Sequence, residues 1–136
     1  MTSFMSKYSA HCYALMRIVI GFLFMWHGSQ KLFGFPAGMP PGAPPFITYG
    51  AGSIELVGGI LVMIGLFTHL AAFICSGEMA FAYWMVHGPN AFLPIQNKGE
   101  LAVAYCFVFL CIAAMGGGIW SVDSLRSGGS DKARDR

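Results

Sequence analysis

Four long apolar runs dominate the hydrophobic pattern of the chain, and polar or proline-rich segments separate all of them except the second and third, which are contiguous. They cover residues 12–30, 49–67, 68–87 and 100–120. A helix needs roughly 20 apolar residues to cross a bilayer, because the hydrocarbon core is about 30 Å thick and the helix rises about 1.5 Å per residue. Backbone groups in hydrocarbon must be hydrogen-bonded within their own segment, which favours helices over open strands. The pattern therefore predicts an all-α fold, a bundle of four transmembrane helices.

The positive charges predict how this bundle lies in the membrane, because Lys and Arg are more frequent in cytoplasmic segments. An even number of spans places both termini on one side. Most basic residues lie on that side, namely Lys7, Arg17, Arg126, Lys132, Arg134 and Arg136, whereas the other side carries Lys31 and Lys98. We therefore expect both termini in the cytoplasm. The first run lacks the small-residue cleavage pattern of a secretory leader, so we expect it to be retained as a helix.

Two segments outside the apolar runs differ in composition from the rest. The connection 32–48 contains five of the seven prolines. Proline cannot continue a helix, so this connection is predicted to be an extended cap on the membrane surface or over the mouth of the bundle. Residues 121–136 are small, polar and charged, and we expect a disordered tail. The predicted organisation is a membrane domain over 1–120 followed by this tail.

The overall composition supports the membrane assignment and limits the partners. Only 10% of the 136 residues are charged and 56% are hydrophobic, whereas a soluble domain carries about 25% charged residues. The mean hydropathy is +0.62. We expect the lipid bilayer as the surroundings, protein subunits or further copies of the chain as partners, and no nucleic-acid partner.

Ionisable residues inside the apolar runs are the main exceptions to the pattern. Glu78 lies near the middle of the third run. A charged side chain at the centre of a span costs about 2.5–3.5 kcal/mol on insertion scales, so it must face a partner, a proton or water. From their depths, we expect that Arg17 can reach Glu78. Lys31 and Lys98 can reach Glu55 and Glu100. The predicted ligand pocket or ion-pair network contains Arg17, Lys31, Glu55, Glu78, Lys98 and Glu100.

Helical spacing assigns these residues to one interior face on each run. Such faces combine charged and small residues, which allows helices to approach closely around a polar interior. On the first run the predicted face contains Arg17, Gly21, Phe24, Gly28 and Lys31, and on the second Gly52, Glu55, Gly59 and Val62. On the third it contains Ala71, Cys75, Glu78, Ala82 and Met85, and on the fourth Glu100, Ala104, Phe107 and Cys111.

Two interpretations of the interior charges remain open at this point. They can be ion pairs that fix helix register, or they can line a polar pocket, which intramembrane ionisable residues often mark. His27, His87 and Asn97 are predicted to be polar groups at the membrane interface. The four cysteines form no CxxC pair and the histidines have no b-type haem spacing, so no metal site and no covalent cofactor are expected.

Four segments in order resemble the DoxX family of small membrane proteins. Residues 17–32 (RIVIGFLFMWHGSQKL) look like its first-helix signature, and residues 55–68 (ELVGGILVMIGLFT) resemble its second helix. Residues 78–82 (EMAFA) and 97–100 (NKGE) match its third and fourth helices. The resemblance covers about residues 13 to 120, nearly all of the chain except the tail.

The resemblance implies a four-helix, multi-pass protein of a bacterial inner membrane, with its polar residues at the positions given above. Relatives accompany thiosulfate:quinone oxidation and other membrane redox systems, although most members have no assigned reaction. The leading hypothesis is therefore a subunit of a quinone-linked redox system whose bundle pocket accepts a quinone or another small ligand. The alternatives are a non-catalytic scaffold that recruits partner subunits and a small-solute permease. Whether the chain turns over a substrate by itself stays open.

Overall fold

The chain is helical throughout the part that the computed structural model describes, residues 4–134 of the backbone and 4–128 of the side chains. These residues contain no strand, so the predicted all-α class is confirmed. The α-helices are α1 (Ser9–Phe33), α2 (Gly52–Ile64), α3 (Thr68–Ala82), α4 (Pro94–Asn97), α5 (Glu100–Met115) and α6 (Val122–Arg134). A π-helical segment, Phe46–Ala51, leads into α2, and another, Tyr83–His87, continues α3. Short 3₁₀ turns occupy Ser6–Tyr8 and Gly88–Asn90.

Two helical stretches among the described residues are long and apolar enough to cross a membrane by themselves. They are Ser6–Phe33, with 28 residues, and Phe46–Ile64, with 19 residues. Helix α5 is apolar but shorter, with 16 residues. The chain therefore carries membrane helices, while four crossings and the cytoplasmic position of both termini stay predictions.

The predicted fourth run, 100–120, extends too far at its end. Helix α5 stops at Met115 because Gly116 (φ 81°) and Gly118 (φ 66°) adopt positive φ angles that helical residues do not. Helix α2 likewise ends before Gly65, which is left-handed at φ 72°. Glycine tolerates this conformation because it has no Cβ. These glycines turn the chain at one end of the bundle.

Helices α1 and α2 form an antiparallel hairpin in which the two backbones touch. A Cβ atom added to Gly59 would lie 2.7 Å from the backbone nitrogen of Met25, and one added to Gly21 would lie 2.5 Å from that of Met63. Gly28 approaches the backbone of Leu56 in the same way. Small residues at these positions allow van der Waals contact between backbones, and they set the register of the hairpin.

Helices α3 and α5 form a second antiparallel hairpin, and a cluster of aromatic rings joins it to the first. The ring of Phe24 on α1 lies 4.6 Å from that of Phe109 and 5.1 Å from that of Tyr105, both on α5. All three side chains are buried. Ring centroids at such distances are favourable in edge or tilted arrangements. This cluster holds α1 against α5 near the middle of the bundle.

Arg17 lies at the end of the bundle where the glycine turns are, and its predicted contact with Glu78 is wrong. Its Nη1 donates to the carbonyl oxygens of Val62 (2.8 Å) and Met63 (2.7 Å). Its Nη2 donates to those of Trp120 (2.7 Å) and Ile119 (3.4 Å). The last carbonyls of a helix have no partner within it and carry partial negative charge, so a buried cation is favourable there. Arg17 thus ties the end of α2 to the chain after α5.

Asp123 lies at the same end of the bundle as Arg17. We call the region around Arg17, Gly65 and Asp123 the arginine end. Its carboxylate accepts hydrogen bonds from the backbone N–H groups of Phe67 and Thr68, both at 2.9 Å, and from the Thr68 hydroxyl at 2.7 Å. The free N–H groups at the start of α3 are therefore capped from another part of the chain. The backbone N–H of Asp123 in turn donates to the carbonyl oxygen of Gly65 at 2.9 Å.

The predicted disordered tail differs from the structure, which places helix α6 over Val122–Arg134. Ser121 is buried, and its hydroxyl accepts a hydrogen bond from the backbone N–H of Ser124 at 3.2 Å. This is the N-cap arrangement that starts a helix. Residues 135 and 136, the end of the predicted tail, lie outside the described residues.

Candidate functional site

A cavity of about 670 Å³ lies between the two hairpins, at the end of the bundle opposite Arg17. The proline-rich connection contributes Met39, Ala43 and Pro44 to its wall. Of its two predicted positions, on the membrane surface or over the mouth of the bundle, the structure therefore favours the second. Most of the lining is apolar. The polar and ionisable residues that line it are His27, Lys31, Glu55, Glu78, His87, Lys98 and Tyr105.

Lys31 and Glu55 form a salt bridge in the wall of the cavity. The Lys31 Nζ atom donates to both carboxylate oxygens of Glu55, at 2.7 Å and 2.8 Å. The two side chains are 14% and 3% exposed. The glycine contacts between α1 and α2 bring these residues to the same level, and a Cβ added to Gly52 would already lie 3.0 Å from the Cβ of Lys31. The structure therefore brings together the pair that was expected from their depths.

Glu78 lies in the cavity wall on α3, without a protein partner for one of its oxygens. Its Oε2 atom is buried and has no hydrogen-bond partner within the part of the chain that the structure describes. One turn earlier, Cys75 packs so closely on α2 that a Cβ at Gly58 would collide with its sulfur. This packing holds α3 against α2 and points the inner face of α3 at the cavity. A buried carboxyl oxygen without a partner is costly, and a ligand, a proton or water can remove that cost.

Tyr105 and His27 provide two further polar groups, on facing helices. Their rings lie 5.9 Å apart in an edge-on arrangement, and both residues line the cavity. Tyr105 also stacks on Phe109. The sequence predicts an interfacial position for His27, and Tyr105 is not among the predicted site residues. The phenol, the imidazole and the Lys31 ammonium together surround one region with hydrogen-bond donors.

The predicted interior face of α5 is wrong, and this error explains why Tyr105 was missed. The face packed inward contains Ala102, Tyr105, Phe109 and Ile112, all of which are buried. The predicted face is exposed at Glu100, Ala104, Phe107 and Cys111. Helix α5 is apolar on all sides, so its pattern contains little information on orientation. The only signal that could have identified Tyr105 is its hydroxyl, which is unusual inside an apolar run.

Glu100 does not line the cavity, and its expected ion pair with a lysine is not among the contacts of the described residues. Its side chain is exposed at the first turn of α5, where a carboxylate interacts favourably with the helix dipole. Lys98 is exposed as well but lines the mouth of the cavity. Of the six residues predicted for the interior set, four line the cavity: Lys31, Glu55, Glu78 and Lys98.

The predicted interfacial residues His87 and Asn97 are in contact, and His87 lines the cavity. The His87 Nδ1 atom is 3.1 Å from the carbonyl oxygen of Asn97. Asn97 is buried, accepts a hydrogen bond from the Gly99 N–H at 2.8 Å and donates to the Tyr83 hydroxyl at 3.1 Å. Asn97 therefore holds the turn that leads into α5. In the described part of the chain, no group of three His, Cys, Asp or Glu residues is placed to hold a metal ion.

Comparison with known proteins identifies the family. Residues 13–88, more than half of the chain, match the family model described as DoxX. The chain belongs to the DoxX family. This confirms the resemblance found in the sequence and places the chain among membrane proteins.

Two relatives give different amounts of information about this DoxX chain. An uncharacterized protein of Haemophilus influenzae is 42% identical over 127 residues, which is 88% of this chain and 94% of that protein. The Bacillus subtilis protein named "Putative oxidoreductase CatD" is 37% identical over 60 residues, 41% of this chain and 45% of that protein. No solved structure matches the chain significantly.

Proposed function

We propose that this protein is a ligand-binding subunit of a membrane redox system, and that the cavity accepts the headgroup of a quinone. All four apolar runs cross a bacterial inner membrane, with both termini in the cytoplasm. The match to a relative named as an oxidoreductase supports the redox association. The cavity volume of about 670 Å³ lies within the range of roughly 300–1,000 Å³ that is usual for small-ligand sites.

The observation that carries the proposal is the buried Oε2 atom of Glu78, which has no hydrogen-bond partner among the described residues and lies in the same cavity wall as the Lys31–Glu55 pair. A quinone has two carbonyl oxygens, which accept hydrogen bonds from donors such as the Lys31 ammonium and the Tyr105 hydroxyl. Its reduction to a quinol takes up two electrons and two protons. The electrons come from a partner protein that carries a redox centre. On reduction, protonated Glu78 gives one proton to a ring oxygen and becomes a carboxylate, and the second proton comes from water at the mouth of the cavity; oxidation of the quinol reverses both transfers.

The test is to measure quinone binding in the purified protein and in two matched variants. In Glu78→Gln the proton-transferring group is lost while the volume of the side chain is kept. Glu100→Gln makes the same chemical change on an exposed residue that does not line the cavity. We expect quinone to be extracted with the wild-type protein and with Glu100→Gln. We expect Glu78→Gln to bind at least about ten-fold more weakly, a loss of about 1.4 kcal/mol, without a lower unfolding temperature.

Two results would contradict the proposal. One is that no quinone is extracted and that added quinone does not raise the unfolding temperature. The other is that Glu78→Gln and Glu100→Gln bind quinone equally well. Either result would favour a scaffold whose charges serve only to hold the helices in register.

A further inference from the structure

The lining of the cavity is exposed on the side of α2 and α3, and we call this side the lateral opening. Its lining on this side includes large apolar residues that are also exposed on the outside of the bundle: Phe46 (55%), Ile74 (45%), Phe81 (53%) and Met85 (55%). Gly50 lies between them on the α2 side and is exposed as well. In a membrane protein the outside at this level is lipid. The cavity is therefore continuous with the apolar surface that acyl chains cover.

The opposite side of the cavity is closed. There, Phe24 on α1 packs against Tyr105 on α5, and both are buried. The mouth is covered by the proline-rich connection, which places Met39, Ala43 and Pro44 on the wall. Among the described residues, six large apolar side chains of the lining are exposed. Five lie on the side of α2 and α3, and the sixth is Leu101 on α5. The main apolar approach to the cavity is therefore on the side of α2 and α3.

The charged groups of the lining are more buried than the apolar residues at the lateral opening. The side chains of Lys31 and Glu55 are 14% and 3% exposed, and the Oε2 atom of Glu78 is buried. The residues at the lateral opening carry no charge. A molecule with a polar head and an apolar tail fits this gradient, because its head can reach the charges while its tail stays in the opening.

Both edges of the opening are π-helical. Phe46–Ala51 forms the edge on the α2 side, and Tyr83–His87 extends the edge on the α3 side. π-helical turns are rare and occur frequently at functional sites. The extra residue per turn changes the direction in which side chains leave the helix, and here it does so at both sides of one gap.

We propose that the ligand is an amphiphile that enters from the lipid through this lateral opening, with its polar ring first, and that its apolar tail stays between α2 and α3. This inference rests on the proposed function and specifies it further. It selects a lipid-soluble ligand with a long tail over a water-soluble one that would enter past the proline-rich cap.

Two matched tryptophan variants test the route. A Cβ added to Gly50 or to Gly77 meets no atom within 4 Å, so both positions have space for a side chain. Gly50 lines the cavity at the opening, whereas Gly77 is exposed on α3 and does not line it. Binding of a long-tailed quinone and of the same ring without its tail is measured in lipid nanodiscs. Because each ligand is compared between variants, its partition into the lipid cancels.

We expect Gly50→Trp to weaken binding of the long-tailed quinone at least about ten-fold, and to change binding of the tail-less ring less than about three-fold. Gly77→Trp is expected to bind both ligands as the wild type does. As a second measurement on the wild type, a photoreactive group on the first units of the tail should label residues within 46–54 or 74–86. This labelling does not depend on the folding of a variant.

The outcomes separate the two proposals. If the ring compounds bind but Gly50→Trp has no effect on the long-tailed ligand, or if the tail labels the proline-rich cap instead, the lateral route is wrong and the quinone site stands. If neither compound binds the wild-type protein, the quinone site fails and the lateral route fails with it.

Discussion

The buried ionisable groups at the two ends of the bundle have different hydrogen-bond partners. At the arginine end, Arg17 is fully buried and donates to four backbone carbonyl oxygens that belong to two different segments. At the cavity end, Lys31 and Glu55 pair with each other, and the nearby Glu78 has a buried oxygen without a partner. The two cations are 14 positions apart on α1, which corresponds to about 21 Å along the helix.

The difference indicates which charges are structural and which are available to a ligand. The terminal nitrogens of Arg17 donate to main-chain carbonyl oxygens and hold the fold together. Its buried Nε atom has no hydrogen-bond partner among the described residues, but Arg17 does not line the cavity. A charge in a cavity, satisfied by one other side chain or by none, can exchange that partner for a ligand. We therefore assign the arginine end to stability and the cavity end to binding, and the following variants test this division.

The largest effect is expected from Arg17→Met. The change leaves the carbonyl oxygens of Val62, Met63 and Trp120 without their buried donor. A buried acceptor left without its donor costs about 1–3 kcal/mol, and several carbonyls lose their donor together. We therefore expect a loss of at least about 3 kcal/mol in the free energy of unfolding, measured in mixed micelles with a denaturing detergent. The control is Arg126→Met, which removes an exposed cation on the ring of Phe67 and is expected to cost less than about 0.5 kcal/mol.

The structural role of Arg17 would be contradicted if Arg17→Met had the same free energy of unfolding as the control variant. It would also be contradicted if Arg17→Met kept its stability but no longer bound quinone, because a residue so far from the cavity should affect only the fold.

Gly59→Ala tests the contact that aligns the cavity charges, with a somewhat smaller expected effect. The added Cβ lies 2.7 Å from the backbone nitrogen of Met25, so α1 and α2 must separate. Overpacking of this kind costs typically 1–3 kcal/mol. Gly77→Ala is the control, because its Cβ meets no atom within 4 Å. Unfolding of both variants is compared in the same micelles, and equal stability of the two would contradict the close helix contact.

Single and double neutralisation of the Lys31–Glu55 pair distinguishes a role in fixing helix register from a role in quinone binding. Lys31→Met and Glu55→Gln each leave one charge unpaired in a mostly buried position, and we expect each to cost about 1–3 kcal/mol. The double variant has no unpaired charge, so its stability should return to within about 1 kcal/mol of the wild type. Quinone binding should stay weak in all three. A double variant that binds quinone normally would show that the pair only fixes helix register.

The smallest effect concerns the pH dependence of the arginine end. Partial burial acts to raise the pKa of Asp123, but the hydrogen bonds from Thr68 and Phe67 outweigh it, so the pKa lies below its ordinary value of 3.8. Stability from this carboxylate is therefore present above that value and is lost as the pH falls through the lowered pKa. At pH 7, Asp123→Asn should cost about 1 kcal/mol, because the amide has one acceptor oxygen instead of two and loses the favourable charge at the start of α3.

The difference in unfolding free energy between the wild type and Asp123→Asn should narrow as the pH falls below 3.8. A difference that stays constant with pH would mean that the charge of Asp123 does not contribute to this cap.

The first two helices could be oriented from the sequence because their charged and small residues share one face. The faces through Arg17 and Gly21 on α1, and through Glu55 and Gly59 on α2, are buried as expected. The fourth run had no such marker, since Glu100 at its start is exposed and the rest is apolar on all sides. Lipid and protein surroundings are both apolar, so hydrophobicity alone does not distinguish the two sides of such a helix.

The sequence by itself determined the helical class, the family, the membrane setting and the residues that need partners. Only the tertiary structure decided which partners they have. Arg17 binds carbonyl oxygens 45 to 103 residues away in the chain, and every residue type has the same carbonyl, so no side-chain pattern reveals this contact. The cavity and its lateral opening arise from the relative positions of two hairpins, and packing between distant segments sets these positions.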